Sequence, residues 1–360
     1  MLESKVIIIK IGSNVLTQSD GMPDLERMKH LVSQISFLIE QGKKVVLVSS
    51  GAVAFGRQAV AIPEKLNPVF KKQIWAATGQ IRLIHQYQGY FEKKGIQIAQ
   101  ILVTKEDFRD RKHFLNMKNC IEALLQQGIL PVINENDTVT ITELMFTDND
   151  ELASLTAAMI NADTLMLLTN VDGIFTGNPA EPDSELIEKI ASDSPEVSSY
   201  ISATKSSFGR GGMLTKYAMA KKSADLGIQV IIANGKKNGV LQAFANKKLL
   251  CTWFEPKKKK QAPKKWLAHG AHYYKGEVFI NSGAKASLTS DVIRSLLPIG
   301  ITKLEGEFSK GDILLIRDDK GDKVGLGRAE YSSKSASEKL GQKNHKALIH
   351  YNYLYLFDHD

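Results

Sequence analysis

The first 250 residues alternate short aliphatic, β-branched runs with longer stretches in which apolar residues recur every three or four positions. The short runs fit strands buried on both faces, and the longer stretches fit helices with one buried face. This alternation is typical of successive βα units and predicts an α/β fold, with a mainly parallel sheet sandwiched by helices. The predicted strands cover residues 6–10, 44–49, 97–103, 130–134, 164–169 and 229–233.

Helices are predicted where the period of three to four is sustained. The clearest case is residues 28–39, where six apolar residues recur at spacings of three and four behind Asp24, a residue type that often caps helix N-termini. The other predicted helices cover residues 74–94, 116–127, 151–160 and 214–226.

The pattern changes near residue 256, where two prolines and six lysines fall within ten residues. Such a segment has too little apolar material to pack, so it predicts an exposed linker. Beyond it, residues 275–318 give short strand-like runs with glycine-containing turns, interrupted by a helix-like stretch at 290–297. We therefore predict a first domain over 1–255, a linker over 256–272 and a small β-rich domain over 273–360.

Charge and cysteine content narrow the class of protein. The net charge is +8, but the six linker lysines leave only +2 for the rest of the chain, so a diffuse nucleic-acid-binding surface is not indicated. Two isolated cysteines, Cys120 and Cys251, argue against a disulfide framework and fit a cytoplasmic protein. No apolar run is long enough to span a bilayer, so no membrane association is expected.

In open α/β sheets ligands bind beyond the carboxyl ends of the strands, and polar clusters follow several of the predicted strands. The first two clusters are KIGSN, which starts at Lys10, and VSSGAVAFG, in which Gly51 leaves a strand and enters a helix. Gly12 and Gly51 allow turns whose backbone N–H groups face an anion, although such small residues also serve close packing.

Two further clusters are rich in carboxylates, amides or glycines. NENDTV and FTDND bring together Asp and Asn residues that suit either helix capping or recognition of an ammonium group. LLTNVDGIF and GRGGMLTK follow, and the second combines glycine amides with Lys216, which is phosphate-binding chemistry. Neither GxGxxG nor the P-loop motif GxxxxGK[ST] occurs in the chain.

Taken in order, KIGSNVLT, VSSGAVAFG, NENDTV, FTDNDELA, LLTNVDGIFTGNP and GRGGMLTK resemble the amino acid kinase family, in particular its members that phosphorylate glutamate. KGEVFINSGA, SLLPIGI and EGEFSKGDILLIRD resemble a PUA domain, so the resemblance covers nearly the whole chain. It implies the amino acid kinase fold and transfer of phosphate from ATP, with Mg²⁺, to the γ-carboxylate of L-glutamate, the first step of proline biosynthesis.

The resemblance also implies roles for individual residues. Lys10 and Lys216 would stabilise the transferring phosphoryl group, and Asp150 would orient both lysines. Glutamate would be held by Ser50, Gly51, Asn134, Asp137, Asp148 and Asn149, with Asp137 at its α-ammonium. The nucleotide site would comprise Lys10, Gly12, Thr169, Asn170, Arg210, Gly211, Gly212, Met213, Leu214, Thr215 and Lys216. No residue is assigned as a metal ligand.

Two positions depart from the family pattern, since Asn170 and Arg210 stand where Asp and Thr are common. The resemblance further implies a homo-oligomer, coupling to γ-glutamyl phosphate reductase and feedback inhibition by proline. Two alternatives stay open: another acyl-phosphate-forming member of the family, acting on aspartate or N-acetylglutamate, and an RNA-binding or RNA-modifying protein that acts through the PUA-like domain.

Overall fold

The structure is a computed structural model that describes residues 3–63, 65–139, 146, 148–191, 212–257, 274–290 and 294–357. It divides into two compact units. The first comprises Met1–Asp107 and Asn116–Lys259, and the second comprises Phe108–Leu115 and Lys260–Asp360. The boundaries of the linker stay a prediction, because most of residues 256–272 lie outside the described residues.

The first unit is built on an eight-stranded sheet in the order β3-β4-β2-β1-β5-β7-β8-β6. All neighbouring strands pair in parallel except β7 and β8, which are antiparallel. The strands are β1 (Val6–Ile11), β2 (Lys44–Ser49), β3 (Ile98–Val103), β4 (Leu130–Glu135), β5 (Thr164–Thr169), β6 (Lys189–Ile190), β7 (Gln229–Asn234) and β8 (Thr252–Phe254).

Nine helices before residue 250 fall within the described residues, and helices pack on both faces of the sheet. They are α1 (Ser13–Leu16), α2 (Leu25–Glu40), α3 (Ala52–Ala59), α4 (Pro68–Glu92), α5 (Lys105–Arg109), α6 (Arg111–Gln126), α7 (Asn149–Met159), α8 (Met213–Asp225) and α9 (Val240–Ala245). Helix α2 packs against β2, α4 and α9, whereas α7 packs against β1, β5 and α8. The predicted parallel sheet sandwiched by helices is confirmed.

The predicted elements match the observed ones closely, and the differences lie at their ends. Asp24 caps α2 as predicted, since its Oδ1 accepts the backbone N–H of Arg27 at 2.9 Å. Helix α4 begins six residues earlier than its apolar period, because Asn67 caps it by accepting the N–H of Val69 and Pro68 occupies its first turn. The exposed residues of this first turn carry no periodic signal.

The second unit contains a five-stranded sheet in the order β10-β9-β11-β12-β13. Its elements are β9 (Gly276–Ile280), α10 (Ser282–Thr289), β10 (Ile301–Glu305), β11 (Ile313–Arg317), β12 (Lys323–Ala329), α11 (Ser333–Ser337) and β13 (Ile349–Leu356). Side chains of the strands and of Leu288 form its own hydrophobic core. The β-rich second module is confirmed.

The helix predicted at residues 290–297 is wrong in its described part. The helix lies earlier, as α10, because the side chain of Asn281 caps it by accepting the N–H of Ala284 at 2.8 Å. Leu296 instead forms a β-bridge with Ile349, with N–H···O distances of 2.9 Å or longer between their backbones. The apolar side chain of Leu296 packs in the core of the second unit, although the residue is not helical.

Candidate active site

The carboxyl ends of β1, β2, β4 and β5 open into a cleft with a cavity volume of about 780 Å³. Strand order reverses at β1, and open parallel sheets bind their ligands at such a reversal. Most of the residues that the sequence analysis singled out line this one cleft. They are Lys10, Gly12, Ser50, Gly51, Asn134, Asp137, Asp148, Asn149, Thr169, Asn170, Gly212, Met213 and Lys216.

Lys10 faces helix α7 because of its position along β1. Ile7, Ile9 and Ile11 belong to the core cluster that includes α2, so Ile8 and Lys10 point to the opposite face of the sheet, where α7 packs on β1. The residue is only 4% exposed. A buried ammonium group needs a partner of opposite charge, and α7 supplies it.

That partner is Asp150, which contacts two lysines at once. Its Oδ1 lies 2.5 Å from Nζ of Lys10, and its Oδ2 lies 2.7 Å from Nζ of Lys216. Burial of this fully buried carboxylate would raise its pKa, but the charges and hydrogen bonds of both lysines outweigh burial and lower the pKa to about 2. Burial would likewise lower the pKa of Lys216, yet Asp150 raises it above its usual value. The three groups therefore carry a net charge of +1, which suits an anionic ligand.

Asp148 caps helix α7 and keeps one oxygen for the cleft. Its Oδ1 accepts the backbone N–H groups of Asp150 and Glu151 at 2.9 and 3.1 Å. Its Oδ2 is buried and has no hydrogen-bond partner among the described residues. Burial, together with the neighbouring charge of Asp150, raises the pKa of Asp148. The second oxygen is thus available to a cation or a ligand donor.

The turn after β2 presents backbone donors to the cleft. Gly51 has φ +109°, in the left-handed region that favours glycine, and it precedes α3. Ser49 Oγ donates to the carbonyl of Ser50 at 3.0 Å and lies 2.8 Å from the hydroxyl of Tyr87. Because the C=O and N–H of a trans peptide point in opposite directions, the Gly51 N–H is directed away from Ser49. This N–H and the first turn of α3 suit an anion.

An amide network ties this turn to the ends of β4 and α7. Nδ2 of Asn149 donates to Oγ of Ser50 at 2.9 Å, to Oδ1 of Asn134 at 3.0 Å and to the carbonyl of Ser49 at 3.3 Å. Nδ2 of Asn134 in turn donates to Oε1 of Gln80 at 2.9 Å. Three predicted substrate-binding residues, from three separate segments, are therefore in direct contact.

Asp137 forms an ion pair with Lys72 of α4, and both residues line the cleft. Burial raises the pKa of Asp137 to about 6, so its carboxylate is charged at neutral pH. Glu135 lies nearby, and its Oε1 accepts the backbone N–H of Phe146 at 3.1 Å. Burial, followed by the charge of Asp137, raises the pKa of Glu135 to about 7. This wall of the cleft therefore combines one cationic and two acidic groups.

The other side of the cleft holds the residues predicted to bind nucleotide. Thr169 ends β5, and its Oγ1 donates to Oδ1 of Asn170 at 3.3 Å. Gly212 and Met213 lie at the N-terminus of α8, one turn before Lys216. Leu214 and Thr215 belong to the same turn but are not among the cleft-lining residues, and Leu214 is 39% exposed. Arg210 and Gly211 lie outside the described residues, so their roles stay predictions.

Gly12 differs from expectation in one respect. Its N–H donates to the carbonyl of Leu168 at 3.1 Å, so it continues the pairing of β1 with β5 and is not directed to a phosphate. A Cβ atom at this position would lie 3.2 Å from the same carbonyl and 3.6 Å from Nζ of Lys10. The expected free backbone donor is therefore wrong, and Gly12 instead leaves room beside Lys10.

The sequence analysis missed Lys72, Gln80 and Tyr87, all of which lie on α4. Lys72 and Gln80 contact the cleft-lining residues Asp137 and Asn134, and Tyr87 contacts Ser49, which precedes the cleft-lining Ser50. The helix carries no glycine-rich or acidic motif, so its contribution was not visible before the fold was known. Gly56 and Gly79 are a sequence signal of the close approach of α3 and α4, since a Cβ at either would clash with the backbone of the other helix.

Two absences hold for the described part of the chain. No three His, Cys, Asp or Glu side chains come together in a group that could hold a metal ion. Also within these residues, every helix is too short or too polar to cross a bilayer.

Comparison with known proteins identifies both units. Residues 5–234 match the amino acid kinase family, and residues 276–350 match the PUA domain. A glutamate 5-kinase of Bacteroides thetaiotaomicron is 47% identical over 353 residues, covering 97% of this chain and 98% of the relative. One from Chlorobaculum tepidum is 49% identical over 355 residues, covering 97% of each chain.

A solved structure, carbamate kinase from Giardia lamblia bound to AMP-PNP, matches with a TM-score of 0.52 and 18% identity, over 71% of this chain and 99% of the other. At that identity it supports the fold alone. The sequence relatives support more than the fold, because they match across both units with 47% and 49% sequence identity. The chain therefore belongs to the amino acid kinase family, in its glutamate 5-kinase branch.

Proposed function

We propose that this chain transfers the γ-phosphoryl group of ATP to the side-chain carboxylate of L-glutamate, forming γ-glutamyl phosphate for proline biosynthesis. The observation that carries the chemistry is Asp150 between Lys10 and Lys216, beside the backbone donors that follow β2. The relatives named glutamate 5-kinase, which match over almost the whole chain, supply the substrate.

The acceptor needs no general base. A glutamate side chain has a reference pKa of about 4.3, so it is already an ionised nucleophile at neutral pH. Catalysis then consists of bringing two anions together and stabilising the charge that shifts between them, the usual logic of phosphoryl transfer. A cleft with a net positive, preorganised centre meets both needs.

Lys10 and Lys216 supply that positive charge, and each would donate to oxygens of the transferring phosphoryl group. Asp150 fixes the spacing of the two ammonium groups, because its two oxygens are each bound to one of them. The Gly51 N–H and the first turn of α3 would stabilise charge from the opposite side.

Glutamate would lie along the wall formed by Ser50, Asn134, Asp137, Asp148 and Asn149. The amide network already holds Asn149 against Ser50 and Asn134, so these groups are in place before the substrate arrives. Asp137 is our choice for the α-ammonium group, because its carboxylate lies in the cleft and is charged at neutral pH.

ATP would occupy the side lined by Thr169, Asn170, Gly212 and Met213, with its phosphates directed to Lys10 and Lys216. Gly12 would leave the space next to Lys10, and Arg210, Gly211, Leu214 and Thr215 complete the proposed nucleotide segment. The amide of Asn170 has no charge, which distinguishes it from the aspartate common in the family pattern.

Two buried oxygens in the cleft wall fit Mg²⁺, a cation that prefers oxygen ligands. They are Oδ1 of Asn14 and Oδ2 of Asp148, neither of which has a hydrogen-bond partner among the described residues. These residues would hold the ion. Bound there, Mg²⁺ would neutralise charge on the phosphate oxygens.

Family membership supports further proposals that the geometry does not address. The chain would act in the cytoplasm as a homo-oligomer, its product would pass to γ-glutamyl phosphate reductase, and proline would inhibit it. The RNA-binding alternative is not favoured, because relatives that span both units are named as kinases.

An acyl-phosphate assay tests the proposal directly. The protein is incubated with ATP, Mg²⁺ and hydroxylamine, and the acyl hydroxamate is measured with glutamate, aspartate and N-acetylglutamate as separate acceptors. We expect product with glutamate only. Equal or better turnover with another acceptor would assign the chain to a different activity of the family, and no product with any acceptor would remove the proposed function.

A further inference from the structure

Lys72 and Asp137 form a pair of opposite charges in the wall of the cleft. Nζ of Lys72 donates to Oδ1 of Asp137, and both residues line the cavity. The Asp137 side chain is 12% exposed and the Lys72 side chain 30% exposed, so the lysine retains an accessible face toward solvent and ligand. The pair lies 65 residues apart in sequence and exists only in the folded chain.

An α-amino acid carries its own pair of opposite charges on one carbon atom. When a protein carboxylate binds the α-ammonium group, the α-carboxylate of the ligand therefore lies close by. A protein ammonium group next to the protein carboxylate can then bind this α-carboxylate. A Lys–Asp pair in contact offers this arrangement, with charges alternating between protein and ligand. Either group alone would leave half of the ligand without a partner.

Four other cations in the described part of the chain line the cleft, Lys10, Arg57, Lys71 and Lys216, and three of them have partners other than Asp137. Lys10 and Lys216 are both bound to Asp150. The guanidinium of Arg57 lies over the ring of Trp75, 4.9 Å from its centre. Among the described contacts, Lys72 is the cation that contacts Asp137 directly. It is therefore placed to bind the α-carboxylate of a ligand whose α-ammonium group is bound to Asp137.

We propose that Lys72 binds the α-carboxylate of the substrate while Asp137 binds its α-ammonium group, so that the pair selects a free α-amino acid. This inference rests on the proposed function and adds a specificity residue to the same site. The reacting γ-carboxylate would then lie at the far end of the substrate, toward Lys10 and Lys216, and Lys72 would take no part in phosphoryl transfer itself.

Helix α4 is firmly held in the position that this role requires. Nε2 of Gln73 donates to the carbonyl of Thr138, next to Asp137 in sequence, but at 3.4 Å this exposed hydrogen bond contributes little to the position of the helix. Further along the helix, Gly79 lies against the backbone of α3, where an added Cβ would come 1.8 Å from the carbonyl of Ala52. Lys72 therefore projects from a helix whose distance to the cleft is fixed by close packing.

Steady-state kinetics of Lys72→Met test the proposal. We expect the KM for glutamate to rise by about 10- to 100-fold, as for the loss of a hydrogen bond between charged groups. The kcat and the KM for ATP should stay the same, and Lys72→Arg should recover a large part of the lost affinity. An unchanged KM for glutamate, or an arginine variant as weak as Lys72→Met, would overturn the proposal.

Two substrate analogues separate recognition from a general structural effect. 4-Aminobutanoate lacks the α-carboxylate and glutarate lacks the α-ammonium group, and both are measured as competitive inhibitors against glutamate. Lys72→Met should weaken glutarate and leave 4-aminobutanoate unchanged, whereas Asp137→Asn should do the reverse. Equal weakening of both analogues by Lys72→Met would mean that the lysine only maintains the wall, and would overturn its assignment.

Gln73→Met provides a matched control, because it removes the neighbouring link between α4 and Thr138 without touching the proposed ligand. Its KM for glutamate should be that of wild type, and a rise as large as in Lys72→Met would also overturn the proposal. Failure of the proposed function has a different signature. In that case the wild-type protein itself forms no hydroxamate from glutamate.

Discussion

The hydroxyl of Tyr87 lies 2.8 Å from the hydroxyl of Ser49, and both residues are fully buried. Burial raises the pKa of Tyr87 well above its usual value. Because the single hydroxyl proton of Ser49 is donated to the carbonyl of Ser50, the hydroxyl of Tyr87 is the donor of this bond. A core residue of α4 is thereby connected to the peptide between Ser50 and Gly51, two residues that line the cleft.

Tyr87→Phe should therefore slow catalysis although the residue does not reach the cleft. Removing the hydroxyl costs about 0.5–1.5 kcal/mol for one hydrogen bond, and part of that cost should appear as a looser Ser50–Gly51 peptide. We expect kcat to fall by up to about tenfold, with the KM for ATP unchanged, in steady-state assays. Thermal unfolding measures the accompanying loss of stability.

Tyr90→Phe is the matched control, because its hydroxyl donates to the carbonyl of Leu25 at 3.4 Å on the exposed side of the same helix. This variant should keep the wild-type kcat. If Tyr87→Phe loses stability but not kcat, the hydrogen-bond chain serves folding alone.

Lys10→Met and Lys216→Met should each lower kcat by about 100-fold or more, the effect of removing a preorganised donor to a charge that develops in the transition state. The remaining lysine still neutralises Asp150, so the fold should survive. Lys105→Met is a suitable control, because it removes an ion pair with Glu151 at the next position of α7. Near-normal turnover of either site variant would exclude that lysine from the mechanism.

The sequence was sufficient to predict the site residues that lie at the ends of strands. The six long strands and the helices behind them follow from hydrophobic periodicity, and the polar residues at strand ends necessarily meet at one edge of a parallel sheet. Resemblance to a family then assigned roles to Lys10, Asp150 and Lys216 that the contact geometry suits.

Contacts that depend on helix packing could not be predicted in the same way. Lys72 lines the cleft and Gln80 contacts Asn134 only because α4 packs on α3 at a particular distance. Periodicity sets which face of a helix is buried but not where that helix lies. Gly12 was predicted to offer its N–H to an anion, because it is a glycine that follows a strand. In the structure this N–H instead extends the pairing of the sheet.

The contact between α3 and α4 depends on two glycines. A Cβ at Gly79 would lie 1.8 Å from the carbonyl of Ala52, and one at Gly56 would lie 1.9 Å from the carbonyl of Trp75. Gly79→Ala should force the helices apart, destabilise the protein by about 1–3 kcal/mol as overpacking does, and move the first turn of α3. Chemical denaturation and kcat should both report the change.

Gly89→Ala is the control on the same helix, because an added Cβ there meets no atom within 4 Å. It should stabilise the protein by about 0.5–1 kcal/mol through helix propensity and leave kcat unchanged. Equal behaviour of the two alanine variants would contradict the packing argument.

A chain that stops after Lys259 should keep kinase activity, because every residue assigned to substrate or nucleotide precedes this point. The first unit extends beyond Phe254: the N–H of Glu255 donates to the carbonyl of Ile190 at 2.9 Å, and the N–H of Lys257 donates to the carbonyl of Ala224 at 3.0 Å. A shorter chain loses both bonds. Hydroxamate formation by the truncated protein measures the outcome, and an insoluble or inactive product would show that the two units are not separable.

The pKa of Asp137 should make glutamate binding depend on pH. Burial raises the pKa of Asp137 to about 6, so the carboxylate becomes protonated as the pH falls through this value. A neutral carboxyl group no longer attracts an ammonium group, whereas the α-ammonium group of glutamate keeps its charge throughout this range. The KM for glutamate should therefore be constant above pH 7 and rise below pH 6. The KM for ATP should not follow the same curve.

Asp137→Asn should have a raised KM at every pH, without the inflection near pH 6. Its side chain has nearly the same shape, so the comparison isolates charge. Glu135 also titrates in this region, because burial and the charge of Asp137 raise its pKa to about 7, and its carboxylate accepts the N–H of Phe146. Glu135→Gln must therefore be measured alongside. If Glu135→Gln abolishes the inflection and Asp137→Asn retains it, Glu135 is the titrating group, and the assignment of Asp137 to the substrate ammonium loses its support.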